Sequence, residues 1–300
     1  MLEVRDIVKY YGKQKAVDHL SFQVDKGEIF GLLGENGAGK TTTFRIIMGL
    51  LEASSGEVLL DGKKIDYSMT DQIGFVTEER SLLLKMTVKE QIIYYGVLKG
   101  MEEDTIVSEL KKWLQKFDIA EYMDRKIKEL SKGNQQKIQF ISAVIHHPKL
   151  LILDEPFSGL DPINVQLLKD AIYQLQQEGC AIIFSSHQME YIENFCQKLI
   201  ILEKGHAIVD GYLKDIKKSW PVKTLLLQGE DLPLATIEKV KGVLSIQSHL
   251  DEYEIKIENE QVAFKIFSKI KNCLITKFVV SEPTLNEIFI TKVGGDHHEQ

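Results

Sequence analysis

Residues 34–42 read Gly-Glu-Asn-Gly-Ala-Gly-Lys-Thr-Thr and follow a strand-like apolar run at residues 29–33. The stretch matches the pattern G-x-x-x-x-G-K-[ST] in the strand–loop–helix setting that this pattern requires. Glycine is needed because backbone N–H groups must turn inward around phosphate oxygens, on a path where side chains would collide. The stretch therefore predicts an α/β fold in which a phosphate-binding loop joins a strand to a helix.

The residue types in this loop suit a nucleotide and its metal ion. Lys40 would reach the β- and γ-phosphates, and Thr41 would place its hydroxyl on Mg²⁺. The helix that begins near Lys40 points its positive N-terminal end at the anion. We therefore predict ATP and Mg²⁺ as cofactors, with the nucleotide held by Gly34, Asn36, Gly37, Ala38, Gly39, Lys40, Thr41 and Thr42.

A pair of acids, Asp154 and Glu155, follows the apolar run at residues 150–153. Their carboxylates should emerge at the C-terminal end of a strand, where open α/β sheets bind ligands. Asp154 suits Mg²⁺, usually through a water, and Glu155 is then free to accept a proton from the water that attacks the γ-phosphate. The alternative is a strand-end acid pair that is simply exposed to solvent, and the phosphate loop favours catalysis.

Three more features complete a pattern. They are residues 130–136, Leu-Ser-Lys-Gly-Asn-Gln-Gln; the turn Ser-Gly-Leu-Asp at residues 158–161; and His187 after the strand-like run at residues 181–186. In order and spacing, the whole set resembles the ATP-binding subunits of ABC transporters over roughly residues 1–220. The resemblance implies an ATP-binding domain with a RecA-like parallel sheet core, an antiparallel β subdomain and a helical subdomain at about residues 87–147.

The resemblance also implies a head-to-tail dimer. In the family, the Ser131 hydroxyl, the Gly133 N–H and the following helix contact the γ-phosphate held by the loop of a second ATP-binding subunit. Residues 134–147 indicate a helix with one apolar face, whose start is an anion site. For the serine alone, the alternative is an ordinary helix N-cap. Asp161 falls in the turn that crosses the dimer and links the two sites.

Three single residues match family positions that contact the nucleotide. Tyr11 falls where an aromatic ring stacks on adenine, although on its own it would be a strand-edge aromatic. His187 falls where the γ-phosphate is hydrogen-bonded and the attacking water is oriented; a lone histidine at a strand end is usually structural. Glu78 replaces the family's glutamine and would ligate Mg²⁺; the alternative is a solvated loop acid beside Glu79 and Arg80. The predicted catalytic residues are Glu155, His187 and Lys40, and the predicted metal ligands are Thr41, Glu78 and Asp154.

Two departures from the family's most frequent signature narrow the resemblance. Lys132 and Asn134 replace residues of Leu-Ser-Gly-Gly-Gln, while Ser131 and Gly133 remain. Together with Glu78, these changes resemble bacterial exporters that include sodium-efflux ATP-binding subunits of the NatA and YhaQ type. The resemblance implies an exporter, with Na⁺ as one candidate substrate.

The composition fits a peripheral subunit. The chain has 300 residues, 44% hydrophobic content and 27% charged content, which allow about two domains with real cores. No apolar run approaches the roughly 18 residues that span a bilayer, and the N-terminus lacks the features of a signal peptide. We expect the chain at the cytoplasmic face of the membrane, held there by an integral-membrane permease. The net charge of −7 argues against a nucleic-acid partner.

Pro221 marks the expected end of the ATP-binding domain. Residues 221–300 should form a small accessory domain, because strand and helix patterns alternate there in the order βαββαβ of a ferredoxin-like α+β fold. No catalytic constellation occurs in this segment. A regulatory or dimer-stabilising function is the default interpretation, and ligand binding is the alternative.

These features predict an ABC-type ATPase that dimerises and drives a separately encoded permease. The main alternative is a soluble ABC ATPase that remodels ribosomes or DNA. Such proteins usually carry two ATPase units or long coiled coils, and this chain has neither. A nucleotide-gated scaffold without activity is a third alternative, but it would need a lost base or lysine, and Glu155 and Lys40 are both present.

Overall fold

The computed structural model describes residues 1–79 and 81–294; Arg80 and residues 295–300 lie outside the described residues. The chain divides into two compact units, Met1–Asp210 and Gly211–Gln300. The division falls ten residues before the boundary expected at Pro221. The reason is that the helix Leu213–Ser219 leads directly into the next strand, where the Lys223 ammonium donates to the carbonyls of Lys217 and Lys218 at 3.1 and 3.2 Å.

Two sheets build the first unit. Their strands, in chain order, are β1 (Leu2–Tyr11), β2 (Gln14–Val24), β3 (Ile29–Gly34), β4 (Ser55–Leu60), β5 (Lys63–Lys64), β6 (Ile73–Val76), β7 (Leu150–Asp154), β8 (Ala181–Ser185), β9 (Lys198–Glu203) and β10 (His206–Tyr212). One sheet has the order β2-β1-β4-β5 and is antiparallel. The other has the order β10-β9-β3-β8-β7-β6, and its strands from β9 to β6 are parallel. The predicted RecA-like core and antiparallel subdomain are confirmed.

The helices of the first unit are α1 (Lys40–Ile47), α2 (Val88–Leu98), α3 (Glu103–Lys116), α4 (Lys132–Val144), α5 (Pro162–Gln177) and α6 (Met189–Phe195). The predicted helical subdomain is built from α2, α3 and α4. Thr87 and Glu90 form a capping box that sets the start of α2. Trp113, on α3, packs 5.8 Å from the rings of both Phe117 and Phe140, which ties α3 to α4.

The core of the first unit lies between its two sheets and encloses α1. Phe44 and Ile47 of α1 are fully buried there, and the rings of Phe22 and Phe30 stack across the sheets at 4.8 Å. Because α1 is packed into this core, it holds the end of the preceding loop in a fixed position.

The second unit contains α7 (Leu213–Ser219), β11 (Lys223–Glu230), α8 (Leu234–Glu238), β12 (Val243–His249), β13 (Glu252–Ile257), α9 (Glu260–Ile270), β14 (Leu274–Ser281) and α10 (Leu285–Gly294). Its sheet is antiparallel, with the order β12-β13-β11-β14. Leu225, Ile255 and Ile266 are fully buried in its core. The predicted small α+β domain, with the βαββαβ order from β11 to β14, is confirmed. Within residues 1–79 and 81–294, no helix combines the length and apolarity needed to cross a membrane.

Candidate nucleotide-binding site

Four adjacent parallel strands end at one edge of the larger sheet. The order β3-β8-β7-β6 brings together the loop after β3, His187 after β8, Asp154 and Glu155 at the end of β7, and Glu78 after β6. Strand ends of this kind are where open α/β sheets bind ligands. The sheet order therefore gathers groups that lie more than a hundred residues apart in sequence.

The loop at residues 34–39 forms one wall of a cleft of about 770 Å³. Gly39 lies at φ 107°, and a Cβ atom there would come within 2.5 Å of the Ala16 carbonyl oxygen. No residue except glycine fits that position without displacing β2. The loop path thus depends on glycine for both conformation and space.

Lys40 lies at the first position of α1 and reaches back over the loop. Its ammonium donates to the carbonyl oxygens of Gly34 and Glu35. Burial lowers the pKa of Lys40, while the negative charges of Asp154 and Glu155 act against that shift. A cation held among loop carbonyls and opposite two acids is suited to a polyanionic ligand that lies between them.

Asp154 is a half-buried carboxylate in the same cleft. Its Oδ1 accepts a hydrogen bond from Ser185 Oγ at 2.5 Å. Burial raises the pKa of Asp154 from its ordinary value, and the nearby Glu78 charge adds to that rise. Thr41 and Glu78 are exposed and line the cleft beside it. These hard oxygen donors fit Mg²⁺, which favours carboxylate and hydroxyl oxygens together with phosphate oxygens of a substrate.

Glu155 is buried although it carries a carboxylate. Its backbone leaves the strand in the left-handed region at φ 50°, which turns its side chain toward the end of β8. There Oε1 accepts the His187 N–H at 2.6 Å and lies 2.9 Å from His187 Nδ1, while Oε2 accepts Ser186 Oγ at 3.1 Å. The acid is therefore fixed by two donors of the segment at residues 186–187, the Ser186 hydroxyl and the His187 backbone N–H.

The cleft brings together most of the sequence-predicted residues. Those that line it are Gly34, Asn36, Gly37, Gly39, Lys40, Thr41, Thr42, Glu78, Asp154, Glu155 and His187. Ala38 is buried beneath the loop. Tyr11 does not line the cleft; the residue is 48% exposed at the end of β1, next to its strand partner Gln14, which does line the cleft.

Ser131 and Gly133 do not line this cleft either. Ser131 is exposed and caps α4, its Oγ accepting the Asn134 N–H at 3.3 Å. Their neighbour Lys132 lines a separate cavity of about 520 Å³ with Glu78, Glu79, Ser158 and Gly159. Within one chain, Ser131 and Gly133 of the signature segment, as we call residues 130–136, thus lie outside the cleft formed by the phosphate loop.

Asp161 caps α5, a contact that the sequence interpretation did not include. Its Oδ1 accepts the N–H groups of Ile163 and Asn164 at 3.1 and 3.0 Å. The hydrogen bonds from Asn164 lower the pKa of Asp161. A Cβ atom on Gly133 would lie 3.0 Å from Asn164 Nδ2, so the Asp161 turn packs against the start of α4.

Sequence reasoning missed several residues of the site. Gln14, Lys15, Ala16 and Lys204 line the cleft, and no local pattern marks them, because the β1–β2 and β9–β10 hairpins bring them there. Ser185 and Ser186 directly precede His187. Two small polar residues at the end of a buried strand were the available signal for their contacts with Asp154 and Glu155.

Comparison with known proteins agrees with this geometry. The profile of the ABC transporter family matches residues 17–158, and the profile described as "ATP-binding protein DrrA1-3-like, C-terminal domain" matches residues 211–293. The uncharacterized ABC transporter ATP-binding protein YhaQ of Bacillus subtilis is 47% identical over 98% of this chain and 99% of its own. The ABC transporter ATP-binding protein NatA of the same organism is 37% identical over 68% of this chain and 85% of its own.

A solved structure supports the same assignment. The structure titled "Structure of ATP binding subunit of ABC transporter" superposes with a TM-score of 0.69 at 31% identity, and covers 73% of this chain and 92% of that one. The chain therefore belongs to the ATP-binding proteins of ABC transporters. It is an ABC transporter ATPase, the subunit that binds ATP, and the predicted family and activity are confirmed.

Proposed function

We propose that this chain dimerises on ATP, hydrolyses it at a composite site and thereby drives a separate membrane permease that exports its substrate. The observation that carries the proposal is the cleft at the ends of β3, β8, β7 and β6, where the glycine-rich loop and Lys40 lie with two acids.

ATP would occupy the cleft with its phosphates in the loop. Lys40 would move from the Gly34 and Glu35 carbonyls to the β- and γ-phosphates, since a charge-assisted bond to phosphate is stronger than one to a neutral carbonyl. Tyr11 would stack on adenine; its ring is exposed at the edge of β1. Gln14, which pairs with it, already lines the cleft.

Mg²⁺ would be held by Thr41, Asp154 and Glu78, together with phosphate oxygens. When bound, the ion neutralises charge on those oxygens. Burial of Asp154 favours a cation beside it, since its carboxylate is costly to ionise there without one. Glu78 offers an oxygen donor where the family has a glutamine, so the substitution preserves a ligand while adding a charge.

In hydrolysis, Glu155 would act as the general base. A water held between its carboxylate and the γ-phosphate would attack in line as Glu155 accepts its proton. Lys40 would stabilise the charge that develops on the transferred group. His187, whose ring is largely exposed to the cleft and lies beside Glu155, would orient that water and hydrogen-bond the γ-phosphate.

A second copy would complete the site, since Ser131 and Gly133 do not line the cleft of their own chain. Ser131 is exposed and Gly133 is half-buried at the start of α4, and this position would leave the helix N-terminus open to an anion on another molecule. In a head-to-tail dimer, each signature segment would close over the partner's γ-phosphate. The Asp161 turn, packed against α4, would then link the two sites.

The permease would dock in a groove between the parallel sheet and the helical subdomain. This groove has a volume of about 480 Å³, and its lining includes Leu50, Tyr67, Tyr95 and Leu98. Leu50, Tyr67 and Leu98 are large apolar side chains that remain exposed, as expected of an interaction surface. A short amphipathic helix from the cytoplasmic side of a permease fits a groove of this kind.

Export is favoured by the resemblance to the NatA/YhaQ-type subunits. Sodium efflux is the substrate hypothesis that the same resemblance suggests. Inverted vesicles that contain the chain and its permease should take up the substrate only with ATP, and uptake of labelled Na⁺ tests the substrate hypothesis separately.

The test of the ATPase proposal is Glu155→Gln. This variant should bind Mg-ATP, fail to hydrolyse it and elute as a dimer in size-exclusion chromatography, while the additional change Lys40→Ala should return it to a monomer. Unchanged ATP turnover by Glu155→Gln would exclude Glu155 as the base.

A further inference from the structure

We infer that Ser186 is a positioning residue for ATP hydrolysis: its hydroxyl orients the Glu155 carboxylate toward the attacking water. The adjacent Ser185 positions Asp154 in the same manner. The inference rests on the proposed function, in which Glu155 is the general base.

The direction of the Ser186 hydroxyl proton follows from its two contacts. Ser186 is 3% exposed, and its Oγ lies 3.1 Å from Glu155 Oε2 and accepts the Gln188 N–H, also at 3.1 Å. A backbone N–H can only donate, so it uses a lone pair of the serine oxygen. The single hydroxyl proton is thereby left for Glu155.

The two oxygens of Glu155 are not equivalent. Oε1 accepts the His187 backbone N–H at 2.6 Å and lies 2.9 Å from His187 Nδ1. Oε2 receives one described donor, the Ser186 hydroxyl. A carboxylate has about four lone-pair sites, so Oε2 keeps one that can take a proton. Donors on both oxygens prevent rotation of the carboxylate, and Ser186 sets the direction of the lone pair that remains.

Register explains why two successive serines serve two successive acids. Asp154 and Ser185 are partners across β7 and β8, and the Ser185 hydroxyl donates to Asp154 Oδ1 at 2.5 Å. One residue later, Ser186 meets Glu155. The chain therefore contains its own matched control. A serine-to-alanine change at residue 186 removes a hydroxyl bonded to the proposed base, and the same change at residue 185 removes a hydroxyl bonded to the proposed metal ligand.

The experiment compares steady-state ATP hydrolysis by the full-length chain and its variants. Ser186→Ala should lower kcat about tenfold, the factor that corresponds to loss of about 1.4 kcal/mol of transition-state stabilisation. The KM for ATP should stay within about twofold, because Ser186 contacts the base and does not line the cleft. Ser186→Thr keeps the hydroxyl and should restore most of kcat. Ser185→Ala should instead raise the Mg²⁺ concentration needed for half-maximal rate.

A second measurement separates positioning from a structural contribution. In the Glu155→Gln background, Ser186→Ala should cause no further loss in the residual single-turnover rate, because a residue that acts through the base has no effect once the base is gone. If Ser186 only contributed to the structure, Ser186→Ala would lower the hydrolysis rate by the same factor in both backgrounds.

The outcomes distinguish this inference from the proposed function. Wild-type turnover by Glu155→Gln would overturn both. An inactive Glu155→Gln with a wild-type kcat for Ser186→Ala would overturn the positioning inference alone. So would loss of ATP binding by Ser186→Ala, a raised KM, or an equal loss in both backgrounds.

Discussion

Replacing Ser131 by aspartate separates two functions of one hydroxyl. Ser131 caps α4 through the Asn134 N–H at 3.3 Å, and we propose that it also contacts the partner's γ-phosphate. Aspartate is as good an N-cap as serine and its charge suits a helix N-terminus. The free energy of unfolding of Ser131→Asp should therefore differ from wild type by less than about 0.5 kcal/mol.

Activity should respond very differently. In the closed dimer, the new carboxylate would face the γ-phosphate, and two like unit charges about 4 Å apart repel by about 4 kcal/mol at an effective dielectric constant of ~20. At about 1.4 kcal/mol for each factor of ten, ATP hydrolysis should fall by roughly 10³-fold.

Ser131→Ala is the matched control. It removes the cap and should lower the free energy of unfolding by about 1 kcal/mol. It adds no charge, so it should retain more ATPase activity than Ser131→Asp. Urea unfolding and steady-state hydrolysis measured on both variants should rank them in opposite orders. Wild-type hydrolysis by Ser131→Asp, or a lower rate for Ser131→Ala than for Ser131→Asp, would refute the assignment of Ser131 to the phosphate.

Three more predictions test other parts of the molecule. Glu78→Gln should keep most of the ATPase rate because an oxygen ligand remains, whereas Glu78→Ala should need more Mg²⁺ and couple hydrolysis to transport less tightly; wild-type behaviour of Glu78→Ala in both assays would exclude Glu78 as a ligand. A chain that ends at Trp220 should still bind ATP in a fluorescence titration, because every residue that lines the cleft precedes it; complete loss of binding by a folded truncation would show that the second unit completes the site. Burial of His146, together with the Lys99 charge, lowers its pKa from 6.5 to about 4. Between these two pKa values the unfolded chain binds a proton at His146 and the folded chain does not, so the free energy of unfolding should fall by about 3 kcal/mol from this residue as pH drops from about 7 to 4. In urea unfolding across that range, the stability of His146→Gln should depend less on pH than that of the wild type. Equal pH slopes for the two proteins would contradict the prediction.

The parts of the fold that the sequence predicted correctly depend on local patterns. A glycine loop between a buried strand and a helix has few possible backbones, so residues 34–42 indicated β3 and α1 directly. Alternation of strand and helix patterns likewise gave the βαββαβ order of the second unit. Both signals are contained within short windows, where hydrophobic period and turn chemistry decide the structure.

The boundaries were less predictable because side-chain contacts set them. We expected α4 to begin at residue 134, but it begins at Lys132, since the Ser131 hydroxyl caps it. We expected the domain boundary at Pro221. The Lys223 ammonium donates hydrogen bonds to the carbonyls at the end of α7, so that helix belongs to the second unit. The serine N-cap was an alternative interpretation of Ser131 in the sequence, whereas no pattern reveals the Lys223 contact in advance.

The parts of the site that escaped prediction come from tertiary approach. Lys15 and Lys204 enter the cleft from two hairpins whose relative placement depends on sheet packing. The contact between Ser186 and Glu155 needs both the β7–β8 register and the left-handed backbone at Glu155. Ser131 shows a further limit, since the group that it would contact lies on another molecule.

The most direct test of a site shared between two chains is complementation by mixing. Ser131→Asp keeps its own cleft, and Lys40→Ala keeps its signature segment, so a mixed dimer contains one intact composite site. If each cleft is completed by the partner's Ser131, an equal mixture of these two impaired variants should hydrolyse ATP faster than the sum of the two measured separately, up to about half of the wild-type rate, because each mixed dimer has one intact site of two. A mixture that hydrolyses ATP no faster than the two variants measured separately would contradict the shared site.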